Sequence, residues 1–144
     1  MRPLLKIAQS QIGVEEKPRG SNWGEPVQTY LKSVGINFPA SWCMAFVYWC
    51  HREAGLPAIK TGGVLAAWNK GKQYRVLTPQ PGDVFIMDYG KGLGHTGIIE
   101  RVDGEILHTI EGNTNDTGSR EGYEVRRKLR NKKKIKGYLR YRHP

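Results

Sequence analysis

The chain has 144 residues, 38% of them apolar, with four Trp, seven Tyr and three Phe. That is enough for one domain with its own core and too aromatic for a disordered chain. The net charge of +10 is lopsided: eleven Lys or Arg against two Glu lie between Arg120 and Pro144, and the first 119 residues are near neutral.

The N-terminal stretch "MRPLLKIAQSQIGVEE" is broken by Lys6 and by Gln9, Ser10 and Gln11, so it does not read as a secretory signal. The expectation is synthesis in the cytoplasm, with any action outside following release or delivery by another system. No window approaches the roughly 18 apolar residues of a membrane span. Leu4, Leu5, Ala8 and Ile12 share a face of a first helix ending at Gly13. The stretch "EKPRGSNWGEP" from Glu16 to Pro26 is a loop. Val27, Tyr30, Leu31 and Val34 predict a second helix stopped at Gly35.

The third helix follows "PAS", with Ser41 as its expected N-cap and Gly55 then Pro57 as its stop. Trp42, Ala45, Phe46, Trp49 and Cys50 form its apolar stripe. A short fourth helix covers Val64 to Trp68. Beyond Lys72 the pattern turns to strands: "YRVL", "VFIM", "HTGIIERV", "EILHTIEGN", "YEVRRKL" and "IKGYLRYR". "DYGKGLG" is a turn, and Asp103-Gly104 joins a hairpin. Helices first and five or six antiparallel strands after them argue α+β.

Only two cysteines are present, seven positions apart. On one helix their rise is about 10.5 Å, beyond the roughly 7 Å that a disulfide tolerates. Both are therefore free thiols. There is no CxxC or HxxxH, so no metal site is expected. Cys50, on the apolar stripe, reads as core filler. Cys43, in the first turn, would sit near unpaired backbone N–H groups and the positive end of the helix dipole, which favour thiolate over thiol.

A nucleophilic thiolate needs a base. His51 shares the helix of Cys43 but lies too far along it, and His143 is terminal. His95, between Gly94 and Gly97, is preferred to His108, which lies inside a strand. Glycines there would leave room for substrate. On the next strand Leu107, Thr109, Glu111 and Asn113 share a face, and either Glu111 or Asn113 could orient the imidazole. Trp42, Trp23 and Tyr89 are candidate groove walls, with a core role an equal alternative for each. The basic stretch, with Tyr123, Tyr138 and Tyr141 interleaved, supports a rival reading as a polyanion- or nucleic-acid-binding module.

In this order, "WCMAFVYWC", "PGDVFIMD", "GHTGIIE" and "EGNTN" resemble the CHAP domain family, the cysteine, histidine-dependent amidohydrolases/peptidases of papain-like fold. The resemblance runs from about Gln11 to Tyr141. It implies a single catalytic domain spanning 1–144 without a separate wall-binding domain. It also implies Cys43 as nucleophile, His95 as base, Glu111 as acidic orienter and Asn113 two residues beyond. The implied reaction is cleavage of an amide in peptidoglycan, either the N-acetylmuramoyl-L-alanine bond or one in the peptide stem or cross-bridge, as in phage endolysins and autolysins. No cofactor is implied, a monomer is expected, and the basic strands imply attraction to anionic wall polymers. Two departures stand out. Many members carry a polar residue, often Gln, just before the cysteine, where this chain has Trp42. The N-terminal loop also lacks the acidic run with which some members bind calcium.

Overall fold

The computed structural model describes residues 3–114 and 122–142. Four helices come first: α1 (Leu4–Ser10), α2 (Val27–Ser33), α3 (Cys43–Glu53) and α4 (Val64–Lys70). Six strands follow: β1 (Arg75–Val76), β2 (Val84–Gly90), β3 (Leu93–Asp103), β4 (Ile106–Thr114), β5 (Glu124–Asn131) and β6 (Gly137–Leu139). They form one antiparallel sheet in the order β1-β6-β2-β3-β4-β5. The α+β, papain-like class read from the sequence is the one observed.

Helix α3 is the centre of the fold. Met44, Ala45, Phe46, Val47 and Cys50 are buried along it, against Ile7 and Ala8 of α1, Tyr30 and Leu31 of α2, and Ile98 and Ile110 of the sheet. Burying a Phe or Leu side chain stabilises a fold by about 1.5–3 kcal/mol, so this seam fixes where the first residue of α3 stands. The helix ends where Gly55 takes φ +74°. Leu56 N–H then reaches the His51 carbonyl at 2.9 Å and Gly55 N–H the Arg52 carbonyl at 3.0 Å. That paired closure needs a left-handed residue, which glycine adopts at least cost.

The helix boundaries differ from expectation at three ends. Helix α1 stops at Ser10, and Ile12 lies in the following turn. Ser41 does not cap α3: Trp42 occupies the cap position and no side chain bonds there. Helix α4 runs on to Lys70. The glycine-rich turn is also shorter than its sequence suggests. Gly90 pairs with Leu93, leaving Lys91 (φ +58°) and Gly92 (φ +77°) as a two-residue turn.

The sheet has a second core on its other face, made by Phe85, Met87, Ile99, Leu107 and Tyr138. Several cations of the basic C-terminal stretch pair with carboxylates. Arg140 forks onto Asp83 at 2.7 and 2.8 Å, Arg127 forks onto Glu100 at 2.9 and 3.0 Å, and Arg126 pairs with Glu124 at 3.2 Å. Part of the charge that reads as a polyanion surface is thus matched by carboxylates of the fold. Among the described residues no helix is long and apolar enough to cross a membrane.

Candidate active site

Cys43 is the first residue of α3. The first intrahelical bond described here runs from Phe46 N–H to the Trp42 carbonyl at 2.9 Å. The N–H groups of Cys43, Met44 and Ala45 precede it at the positive end of the helix. Cys43 is 5% exposed and lines a cleft of about 170 Å³ whose walls include Ser41, Tyr89, Leu93, His95 and Asn113.

His95 enters from β3, opposite Met87 of β2. Its Nε2 bonds Glu111 Oε1 at 2.8 Å, and it lines the same cleft as Cys43, with which it interacts electrostatically. Burial works against the imidazolium, yet the hydrogen bonds to Cys43 and Glu111 outweigh it and raise His95 to about 9. Glu111 is fully buried. Burial alone would raise its carboxyl, but Arg130 and His95 hold it down at about 2. Arg130 reaches Glu111 from β5 through Nε to Oε2 at 2.8 Å and Nη2 to Oε1 at 2.6 Å. Thr109 Oγ1 donates to Oε2 at 2.6 Å.

Cys43, His95, Glu111 and Asn113 are brought together, but not with equal parts. The carboxylate of Glu111, not the amide of Asn113, holds the imidazole. Asn113 sits at φ +55° where the β4–β5 register shifts; it lines the cleft, and its buried Oδ1 has no hydrogen-bond partner among the described residues. Tyr89 is 47% exposed and forms part of the cleft wall. Trp42 does not. It is fully buried, stacks on Tyr30 at 5.7 Å between centroids and donates from Nε1 to Glu16 Oε2 at 2.7 Å. Its proposed place in a groove is therefore corrected to the core. Trp23 packs half-buried against the same core and is not among the cleft-lining residues.

The histidines set aside have structural surroundings. His51 is buried, bonds the Val47 carbonyl at 2.7 Å and is held at about 4 by that burial. His108 meets Arg101 at 3.0 Å on the sheet. The glycines beside His95 need a different reading. A Cβ on Gly97 would collide with Glu111 and Phe85, and one on Gly94 with the Met87 carbonyl and Val64. At Gly97 the space serves the orienting carboxylate rather than a substrate.

Glu16 and Arg130 escaped the sequence reading. Glu16 stood in a loop rich in turn residues, and Arg130 among ten other cations. The available signal for Arg130 was strand alternation. Leu107 pairs with Arg130, and Glu111 pairs with Arg126, so Arg130 and Glu111 share a sheet face. Among the described residues no group of three or more His, Cys, Asp or Glu is placed to hold a metal ion.

A cysteine at a helix start, a strand histidine and a buried carboxylate meeting at one end of an antiparallel sheet define a papain-like architecture. The model of the CHAP domain family matches residues 35–113, more than half of the chain, and the protein belongs to that family. Two solved structures share the fold. The crystal structure of Ly7917 is 19% identical with a TM-score of 0.53, covering 96% of this chain and 60% of the other. The crystal structure of Ly7917 with the hydrolyzing product of MDP is 20% identical with a TM-score of 0.54, covering 96% and 61%. This chain thus spans about three-fifths of their length. No curated protein matches the sequence.

Proposed function

We propose that the protein is a cysteine-dependent amidase or endopeptidase cleaving an amide bond of peptidoglycan, either the N-acetylmuramoyl-L-alanine bond or one in the peptide stem or cross-bridge. The observation that supports this reading is that Cys43 and His95 line one cleft while the buried Glu111 carboxylate holds the His95 imidazole.

In this mechanism the Cys43 thiolate attacks the amide carbonyl, and the developing oxyanion lies against the N–H groups at the start of α3. With Trp42 turned into the core, no side chain immediately before the cysteine supplies a donor, so backbone N–H groups carry that role. The His95 imidazolium gives its proton to the departing amine, leaving a thioester on Cys43. A water molecule then loses a proton to His95 and attacks the thioester, which releases the acid and the thiolate. Glu111 fixes the ring and balances its charge throughout.

The test is incubation with purified sacculi, following clearing and identifying new end groups by mass spectrometry. A new free amino terminus on a stem or bridge residue names the bond. Cys43→Ala is expected to lower clearing to the level of a no-enzyme control. A Cys43→Ala variant clearing at the parent's rate would end this mechanism.

A further inference from the structure

Glu111 sits in an unusual position for an orienting carboxylate. It is fully buried and receives four contacts: His95 and Arg130 on Oε1, Thr109 and Arg130 on Oε2. Two of the four come from one guanidinium. Arg130 is itself largely covered, 17% exposed in its side chain. Its guanidinium lies 5.9 Å from the Phe85 ring centroid and also interacts with the Tyr89 hydroxyl at the cleft wall. It falls outside the segment matched by the family model, residues 35–113.

The chemistry proposed above makes His95 alternate between imidazolium and neutral imidazole. In the charged state Glu111 has two cationic partners. In the neutral state, without Arg130, it would be a carboxylate sealed from water with no counter-charge. That situation is costly, and the cost would fall on the step in which His95 releases its proton. We propose that Arg130 is a positioning residue whose charge keeps Glu111 ionised while His95 is neutral, and so allows the imidazole to hand over its proton. The proposal rests on the reading of Cys43 and His95 as nucleophile and base.

The groups that bear on His95 are Cys43 from α3, Glu111 and Asn113 from β4, Arg130 from β5 acting through Glu111, and Tyr89 from β2 acting through Arg130. Removing the guanidinium charge leaves the Glu111 anion facing His95 alone. The imidazolium is then held more tightly, and His95 titrates higher. A site merely loosened by the substitution would do the opposite, letting His95 fall toward its ordinary value near 6.5. The direction of the change therefore separates an electrostatic role from a packing role.

The experiment is an NMR titration of ring-labelled His95 in parent and Arg130→Met proteins. Both carry Cys43→Ala, so that thiol ionisation does not overlap the signal. Turnover is measured separately in the Cys43-intact proteins. Arg130→Met is expected to raise the His95 midpoint by about one pH unit and to lower kcat about tenfold or more with KM little changed. Arg130→Lys is expected to return the midpoint to that of the parent. If Arg130→Met does not fold, Arg130→Gln, which keeps an amide donor without the charge, takes its place. An unchanged or lowered midpoint in the neutral variant overturns the proposal. The titration reads no activity, so it is independent of whether Cys43→Ala abolishes clearing.

Discussion

Gly97 lies so close beneath Glu111 that a Cβ on it would stand 2.6 Å from Glu111 Cγ, 2.8 Å from the Phe85 ring and 3.0 Å from the Ile110 carbonyl oxygen. The absence of a side chain on β3 is what lets the carboxylate of β4 lie flat across the sheet and reach His95. Gly97→Ala is expected to cost about 1–3 kcal/mol of stability through overpacking. It should also lower clearing of sacculi, because displacing an orienting group by about 1 Å is enough for a loss near 100-fold. Denaturant midpoints and clearing rates measured together check this. Parent-like values in both would mean that the sheet yields without moving Glu111.

The pH dependence follows from the same pair. His95 is raised to about 9 in the folded protein by Cys43 and Glu111 against the effect of burial, above its ordinary value near 6.5. The stabilisation from this pair is fully present below about pH 6.5 and is lost as pH climbs through about 9. For catalysis the same group sets an alkaline limb: kcat/KM for a soluble wall fragment should fall above about pH 9, as the imidazolium that protonates the leaving amine disappears. Glu111→Gln removes the carboxylate and leaves the Arg130 cation nearby, so the limb should move toward neutral pH. A limb that stays at about 9 in Glu111→Gln would assign it to another group.

The order of helices and strands, the free thiols and the choice of Cys43 and His95 as candidates were legible in the sequence, because each depends on local signals. Examples are the apolar spacing of α2 and α3, the turn residues between strands and a histidine placed next to glycine. What was not legible depends on partners distant in sequence. Arg130 finds Glu111 through the pairing of β5 with β4, and the register of that pair shifts between Glu111 and Thr114, so no count of residues across the connection predicts it. Gly97 shows the limit of a composition cue. The glycine was noticed, but which neighbour fills its space is a property of the sheet. The burial of Glu16 follows from Trp42, whose indole N–H meets a carboxylate 26 positions earlier in the chain.

Trp42 gives the sharpest contrast between a groove wall and a core residue. Its indole stacks on Tyr30, and its Nε1 donates to Glu16, a carboxylate 2% exposed whose other oxygen accepts from Gly20 N–H at 2.8 Å. It also packs against Gly112, where a Cβ would come within 2.7 Å of the indole. Trp42→Phe keeps most of the ring volume and removes the donor. Glu16 then loses a charge-assisted bond in a buried setting, at a cost of about 1–3 kcal/mol. A double-mutant cycle with Glu16→Gln should return a coupling energy that accounts for most of this loss. Because the indole sits behind Cys43 rather than in the cleft, KM for wall fragments should stay near the parent's. A stability unchanged from the parent together with a raised KM would put Trp42 back on the substrate side.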